Sequence, residues 1–253
     1  MTGTTTPGAD VDRRWFKRFG RTGPAETRLF CFHFAGGNAA LFRRWPQDLP
    51  WYIEPVAVQL PGRADRFTEQ PYDRMTPLID DLIEAIHPLL DRPFAFYGVS
   101  MGARVSWALT HALRERQLPL PRALFVAASV APACDDGQWE WDGRDDGLEG
   151  YVREMGGTPV EVLDQPELLA GLLPTLRADL TVLSTHGFHP STPLDLPVHA
   201  FAGTEDPEAH PDRMTDWSRE TRAPFSLTPV PGGHFFDDAG RQQVVRAIVD
   251  HLT

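Results

Sequence analysis

The stretch PFAFYGVSMGARVSW, residues 93–107, decides the fold because it joins a predicted strand to a predicted helix through a serine. Residues 94–97 are a short apolar run rich in aromatic side chains, which is typical of a buried strand. Residues 98–102 match G-x-S-x-G, a tight turn that lifts its serine, here Ser100, clear of both elements. Apolar residues then recur at helical spacing. The stretch therefore favours a nucleophilic serine on an α/β scaffold, against the alternative that Ser100 only caps the helix.

Length, charge and cysteine content limit the class of protein. The 253 residues suit a single α/β domain with a large core, in which residues 1–10 are expected to be disordered. A net charge of −11 argues against nucleic acid or an anionic membrane as the main partner. Cys31 and Cys134 are far apart and outside any C-x-x-C motif, which favours neither a disulfide framework nor a zinc site. With no apolar membrane span and no signal-peptide core, the chain is expected in the cytoplasm.

Strands and helices alternate along most of the chain. This alternation predicts a mainly parallel sheet covered by helices on both faces. The predicted strands are residues 28–34, 54–60, 94–97, 122–128, 197–202 and 225–230, and the predicted helices are 75–90, 103–117, 212–222 and 241–252.

The alternation breaks between residues 134 and 190, where acidic turns and short helical stretches replace strands. We interpret this segment as an insertion within the single domain of residues 1–253, lying over the strand ends as a lid. Some of its apolar residues are expected to line a substrate channel. The apolar residues of the insertion, most of which are expected to serve packing, are Trp139, Trp141, Leu168, Leu169, Leu172 and Leu173.

A serine hydroxyl becomes a good nucleophile only when a base takes its proton and a third group orients that base. Among nine histidines, His234 is the favoured base because it follows the last predicted strand, behind two glycines. His33 and His210 also lie in or beside loops, and His186 with His189 forms an H-x-x-H pair without a third metal ligand. No metal site is therefore predicted.

Asp206 is the favoured orienting group because it follows a strand end directly. Its neighbour Glu205 is the alternative, but the Asp206–Pro207 pair favours a turn that aims the shorter side chain inward. The order Ser100, Asp206, His234 is the chain order of an α/β-hydrolase. Residues 35–38, Ala-Gly-Gly-Asn, follow the first strand and suit an oxyanion hole, since the backbone there must turn sharply. The alternative is a plain turn.

With these pieces placed, the sequence resembles the stand-alone type II thioesterases of polyketide and nonribosomal peptide assembly lines, which have the α/β-hydrolase fold. The resemblance runs from about Trp15 to the C-terminus, and the segments most specific to that family are Gly-Thr-Pro at 157–159 and Leu-Arg-Ala-Asp at 176–179. The matching segments are Cys31-Phe32, Ala35-Gly36-Gly37, Trp45, Leu49-Pro50, residues 59–63 (QLPGR), 98–103, 157–159 (GTP), 173–179 (LPTLRAD), 203–207 and 233–236 (GHFF).

The resemblance implies roles for individual residues. Ser100 would be the nucleophile, His234 the general base and acid, and Asp206 the orienting carboxylate. The backbone N–H groups of Ala35 and Met101 would form the oxyanion hole. No cofactor is implied beyond the phosphopantetheine arm that carries the substrate.

The resemblance also implies a function and a partner. The enzyme would hydrolyse acyl thioesters on acyl or peptidyl carrier proteins and so clear stalled or wrongly primed groups, acting as a monomer. This chain differs from the family's usual residues at Val99, at His33-Phe34, and at Ser184 and His186. The three triad residues are retained, so the differences are expected to affect the pocket and the substrate range. The alternatives are a small-molecule esterase, an acyltransferase or cyclase with an amine or hydroxyl acceptor, and a non-enzymatic binding module.

Carrier proteins are usually acidic, and so is this chain, so docking requires a local basic patch. One candidate is the stretch at residues 13–18, for which the alternative is an edge element with packed aromatic and solvated charged side chains. A second candidate patch is formed by Arg43, Arg44, Arg63 and Arg66.

Overall fold

The computed structural model describes residues 13–20, 23–134, 147–158, 160–186 and 191–253. The expected disorder of residues 1–10 and the two lid tryptophans, Trp139 and Trp141, lie outside these ranges. Among the described residues, no helix is both long enough and apolar enough to cross a bilayer.

A seven-stranded sheet runs through the centre of the molecule. Its spatial order is β1-β3-β2-β4-β5-β6-β7, and every neighbouring pair is parallel except β1 with β3. The mainly parallel sheet predicted from the alternation is confirmed. The strands are β1 (Phe16–Lys17), β2 (Thr27–Phe32), β3 (Ile53–Val58), β4 (Phe94–Val99), β5 (Leu124–Ala127), β6 (Val198–Gly203) and β7 (Phe225–Val230).

Helices cover both faces of this sheet, and two apolar clusters fill the space between. The central strands β2, β4, β5 and β6 are buried along their whole length, as expected of strands covered on both faces. The described α-helices are α1 (Trp45–Asp48), α2 (Met75–Ile86), α3 (Met101–Glu115), α4 (Gly147–Met155), α5 (Val160–Leu163), α6 (Pro166–Thr185), α7 (Pro211–Met214) and α8 (Asp238–Leu252).

One predicted helix takes a different form. The segment at residues 212–222 is the short α7 followed by a 3₁₀ helix, Thr215–Glu220. The tighter turn accompanies the complete burial of Trp217, whose indole N–H donates to the carbonyl of Ser129 at 2.6 Å. Tertiary packing of one large side chain therefore overrides the α-helical periodicity of this segment.

The insertion between β5 and β6 contains a longer helix than expected. α6 has 20 residues, whereas only short helical stretches were expected here, and it continues through Pro174 although proline removes a backbone donor. Leu169, Leu176, Leu180 and Leu183 are buried on it at helical spacing, so packing of this face supports the helix across the proline. The interpretation of the insertion as a lid stays a prediction.

The basic stretch near the N-terminus is an edge element. β1 pairs antiparallel with β3. Phe16 in β1 and the preceding Trp15 are both buried. Three of the four cations in this stretch are engaged within the molecule, because Arg14 lies 2.9 Å from the Glu69 carboxylate, Lys17 2.5 Å from that of Asp65, and Arg18 3.2 Å from that of Glu54. These contacts favour the edge-element interpretation over a docking surface.

The second candidate patch requires a correction. Arg63 and Arg66 are only 5% and 4% exposed, so they cannot present charge to a partner. Arg43 and Arg44 are exposed, with Arg43 lying over the ring of Phe19. The sequence pattern placed these arginines near each other, but it did not reveal which of them are buried.

Candidate active site

Ser100 occupies the sharp turn between β4 and α3. Its backbone has φ 53° and ψ −119°, a strained conformation for a residue with a side chain, and its N–H donates to the Ala127 carbonyl at 2.8 Å. The turn leaves no room beside it, since a Cβ on Gly98 or Gly102 would lie 2.2 Å from the carbonyl oxygen of Gly102 or Phe32 respectively. The Ser100 side chain makes no capping hydrogen bond to α3. This geometry is that of a presented nucleophile rather than of a helix cap.

The steric argument predicts a large cost for Gly102→Ala. Its methyl group would collide with the backbone of β2, and we expect the free energy of unfolding to fall by about 3 kcal/mol. Gly171→Ala is the matched control, because a Cβ at Gly171 in α6 meets nothing within 4 Å. That change should stabilise the protein by about 0.5–1 kcal/mol. Urea unfolding of both variants measures the difference, and equal stabilities would contradict the steric account.

His234 and Asp206 form a buried hydrogen-bonded pair in the loops that follow β7 and β6. His234 Nδ1 lies 2.9 Å from Asp206 Oδ2, and the two residues are 8% and 1% exposed. The other carboxylate oxygen, Oδ1, accepts hydrogen bonds from the backbone N–H groups of Glu208 at 2.9 Å and Ala209 at 3.0 Å. The alternative orienting group, Glu205, is exposed. The structure thus brings Asp206, and not its neighbour, to His234.

The electrostatics of this pair fix the histidine tautomer. Burial raises the pKa of Asp206, but the hydrogen bond and charge of His234 together with the two backbone donors outweigh burial and hold that pKa below its usual range. Because the carboxylate is ionised, His234 Nδ1 carries the proton that it donates. His234 Nε2 is therefore left with a free lone pair, as a general base requires.

Ser100 and His234 line the same cavity, which has a volume of about 430 Å³. Ala35 and the glycines after it form part of the wall, and the insertion supplies much of the rest. Of the residues expected to line a channel, Leu172 does so, whereas Leu169 is buried and Leu168 is 49% exposed. The insertion contributes most of the aliphatic wall, with Val152 and Met155 from α4, Val162 from α5, and Leu172, Leu176, Leu180 and Leu183 from α6.

Of the two residues predicted for the oxyanion hole, Ala35 lines the same cavity as Ser100, and Met101 follows Ser100 directly in the chain. Met101 is the first residue of α3, where a backbone N–H has no intrahelical acceptor. Ala35 lines the cavity within a turn closed by a hydrogen bond of 3.0 Å from Gly37 N–H to the Phe34 carbonyl. Gly36 N–H is engaged elsewhere, because it donates to Asp179 Oδ2 at 2.7 Å.

The remaining histidine candidates lie apart from this pair. His33 is buried with Nδ1 2.8 Å from the Phe34 carbonyl, and His210 pairs with Asp212 at 3.3 Å. His189 lies outside the described residues. Within the ranges that the structure describes, no three His, Cys, Asp or Glu side chains come close enough together to hold a metal ion.

His33 leads to a prediction about pH. Burial, followed by the charge of Arg63, lowers its pKa to about 4, although Asp179 and the Phe34 carbonyl act in the opposite direction. Below about pH 6.5 the unfolded chain binds a proton at this position that the folded chain does not, so stability falls as the pH drops towards 4. Between pH 6.5 and pH 5 the loss should approach 2 kcal/mol. His33→Asn should flatten the stability–pH curve, whereas the exposed His87→Asn should not; equal slopes would contradict the account.

Sequence reasoning missed one feature, a buried ion pair between Arg63 and Asp179 beside the 34–37 turn. Both residues lie in segments that carry the family resemblance, one in residues 59–63 and the other in 173–179. The available signal was the presence of a positive charge in one motif and of a carboxylate in the other. Nothing in their spacing indicated that they meet.

Comparison with known proteins is consistent with this geometry. A family model described as a thioesterase domain matches residues 27–252. Linear gramicidin dehydrogenase LgrE of Brevibacillus parabrevis is 38% identical, covering 94% of this chain and 92% of LgrE. The structure of RedJ, a thioesterase from the prodiginine biosynthetic pathway in Streptomyces coelicolor, is 34% identical with a TM-score of 0.84, covering 92% of this chain and 90% of RedJ.

A second solved structure extends the match over nearly the whole chain. The type II thioesterase BorB from the borrelidin biosynthetic cluster is 29% identical with a TM-score of 0.86, covering 99% of this chain and 100% of BorB. The chain therefore belongs to the thioesterase family, has the α/β-hydrolase fold and is similar to the type II members of that family.

Proposed function

We propose that this enzyme hydrolyses acyl thioesters carried on the phosphopantetheine arm of carrier proteins and so clears stalled or aberrant groups from an assembly line. The observation that carries the proposal is the position of Ser100 and His234 in one cavity with an aliphatic wall. Such a wall suits the hydrocarbon part of an acyl group, while the polar end of the cavity suits the thioester. The description of LgrE refers to linear gramicidin, that of RedJ to the prodiginine biosynthetic pathway and that of BorB to the borrelidin biosynthetic cluster. These biosynthetic contexts support a carrier protein of an assembly line as the partner.

In the first half of the reaction, Ser100 Oγ attacks the thioester carbonyl while His234 Nε2 takes the hydroxyl proton. The Ala35 and Met101 N–H groups donate to the oxyanion of the tetrahedral intermediate. Collapse of this intermediate breaks the C–S bond, and His234 returns its proton to the departing thiol. An acyl group is then held on Ser100 as an ester.

In the second half, His234 removes a proton from a water molecule that attacks the acyl-enzyme. A second tetrahedral intermediate forms in the same oxyanion hole, and its collapse frees the carboxylic acid and restores the Ser100 hydroxyl. Asp206 stays ionised throughout and stabilises the imidazolium form of His234. We propose no cofactor or metal in either half.

LgrE is named a dehydrogenase, but we do not propose dehydrogenase activity for this chain. A dinucleotide site would need G-x-G-x-x-G after the first strand of a parallel unit. After β2 this chain reads Ala-Gly-Gly-Asn-Ala-Ala at residues 35–40, which lacks that spacing. The nucleophile turn after β4 is instead the main chemical feature at this edge of the sheet.

A comparison of substrates tests the proposal. The same acyl group is presented on a carrier protein, as a small N-acetylcysteamine thioester and as a small oxygen ester. We expect kcat/KM to be highest for the carrier-bound thioester, because the partner adds contacts beyond the acyl group. Preference for the free oxygen ester would support a small-molecule esterase instead. Failure of Ser100 to react with a fluorophosphonate probe would support a binding module.

A further inference from the structure

A buried ion pair lies directly behind the turn that carries Ala35. Arg63 Nη1 lies 2.7 Å from Asp179 Oδ2, and Arg63 Nη2 lies 2.7 Å from Asp179 Oδ1. The side chains are only 5% and 3% exposed. Arg63 follows β3 and Asp179 belongs to α6, so this bidentate pair joins the sheet to the insertion.

Both members of the pair also bind the backbone of the turn. Asp179 Oδ2 accepts the Gly36 N–H at 2.7 Å, and Arg63 Nη1 donates to the Gly37 carbonyl at 3.2 Å. Gly36 has φ 74°, which together with the 3.0 Å hydrogen bond from Gly37 N–H to the Phe34 carbonyl is typical of a type II turn. The two side chains thus hold the peptide group that precedes Gly36 and the peptide group that follows Gly37.

The helix that supplies Asp179 also lines the cavity. Leu172 and Leu176 of α6 lie in the aliphatic wall, and a Cβ at Gly36 would be 3.3 Å from Leu176 Cδ1. Thr175 Oγ donates to the Gly62 carbonyl at 2.7 Å, beside Arg63. One face of α6 therefore contacts the acyl pocket, the turn and the segment that carries the arginine.

Such a pair needs an explanation other than stability. Removing two charges from water offsets most of their mutual attraction, so buried ion pairs contribute little net stability compared with apolar residues of similar size. The Arg63–Asp179 pair instead orients the backbone of the turn, because it supplies an acceptor for the Gly36 N–H and a donor for the Gly37 carbonyl at fixed positions.

We propose that Asp179, held by Arg63, is a positioning residue that sets the turn at residues 34–37 so that the Ala35 N–H points at the oxyanion. The inference rests on the proposed function for the role of Ala35. Without the carboxylate, the Gly36 N–H loses its acceptor and the peptide group before it is free to rotate. Rotation of that group changes the backbone angles of Ala35 and so turns the neighbouring Ala35 N–H away from the oxyanion. The oxyanion would then receive one well-placed donor, from Met101, instead of two.

The test uses the double variant Arg63→Met/Asp179→Leu, because the single Asp179→Ala would leave a buried unpaired arginine and unfold much of the protein. We expect the melting temperature to stay near that of the wild type. We expect kcat for an acyl N-acetylcysteamine thioester to fall by about 10–100-fold, while KM changes by less than about threefold. This fall in kcat is smaller than the fall expected when an oxyanion donor is removed altogether, because the Ala35 N–H is misdirected rather than lost. A trifluoromethyl ketone analogue, which binds as an oxyanion on serine, should bind more weakly by a similar factor.

Arg28→Met is the control. Arg28 is also a buried arginine, paired with Glu54 at 3.1 Å, but it lies near the start of β2, at the end of the strand opposite to the turn. It should change stability without changing kcat. Wild-type kcat and analogue affinity in the folded double variant would overturn the inference, and so would equal losses in both variants. The analogue titration needs no turnover, so it decides the inference even if the wild type fails to hydrolyse carrier-bound thioesters, a result that would reject only the proposed function.

Discussion

Ser100→Ala should lower kcat for carrier-bound acyl thioesters by about 10⁴–10⁶-fold, because it removes the hydroxyl that forms the acyl-enzyme. Binding of the acyl group should persist, since the aliphatic wall from α4 and α6 is unchanged. KM, or the dissociation constant of the uncleaved acyl carrier, should therefore move by less than about threefold. Single-turnover hydrolysis with a radiolabelled acyl group measures rates this small.

The matched control for this change is Ser106→Ala. Ser106 lies in α3, the helix that follows Ser100; it is fully buried and donates to the Ala103 carbonyl at 2.9 Å, away from the cavity lining. It should retain wild-type kcat and wild-type labelling by a fluorophosphonate. Comparable activity of Ser100→Ala and the wild type would remove the acyl-enzyme from the mechanism.

Asp206→Asn should lower kcat by about 10³–10⁴-fold while leaving the fold intact. The amide has nearly the shape of the carboxylate, but it has no negative charge to stabilise the His234 imidazolium. Its NH₂ group can donate to Nδ1, which would place the histidine proton on Nε2 and prevent that nitrogen from acting as a base. Steady-state kinetics at pH 7 with a melting curve for each variant measure the effect.

Glu205→Gln tests whether Glu205, rather than Asp206, orients His234, the alternative that the sequence left open. Glu205 is exposed, and its backbone N–H donates to the Gly232 carbonyl at 2.9 Å, a bond that the substitution keeps. We expect kcat within about twofold of the wild type. A large loss in Glu205→Gln, with little change in Asp206→Asn, would reverse the assignment.

The parts of this protein that the sequence predicts well are those set by local sterics and periodicity. The turn at residues 98–102 needs small residues because a Cβ on either glycine would lie 2.2 Å from a backbone atom. The glycine pattern therefore predicts the turn without knowledge of any distant contact. β7 was predicted at residues 225–230 and spans Phe225–Val230. The sheet follows in turn from the alternation of such segments.

The parts that the sequence predicts poorly depend on contacts between distant residues. Arg63 and Asp179 are 116 positions apart, and only the packing of α6 against the loop after β3 brings them together. The burial of Arg63 also explains why a basic docking patch was wrongly expected to include it. Only short helical stretches were expected in the insertion, whereas the buried leucine face of α6 supports one helix of 20 residues that continues through Pro174.

Mass spectrometry in H₂¹⁸O tests the central claim most directly. A carrier protein loaded with one acyl group is incubated with the wild type and with Ser100→Ala, and both the carrier and the released product are weighed. We expect the wild type to return the free thiol form of the carrier and a carboxylic acid containing one ¹⁸O atom, and Ser100→Ala to leave the acyl carrier intact. Release of the acyl group as an unlabelled ester, amide or ring would show that water is not the acceptor, and an acyl carrier left intact by the wild type would contradict carrier-thioester hydrolysis altogether.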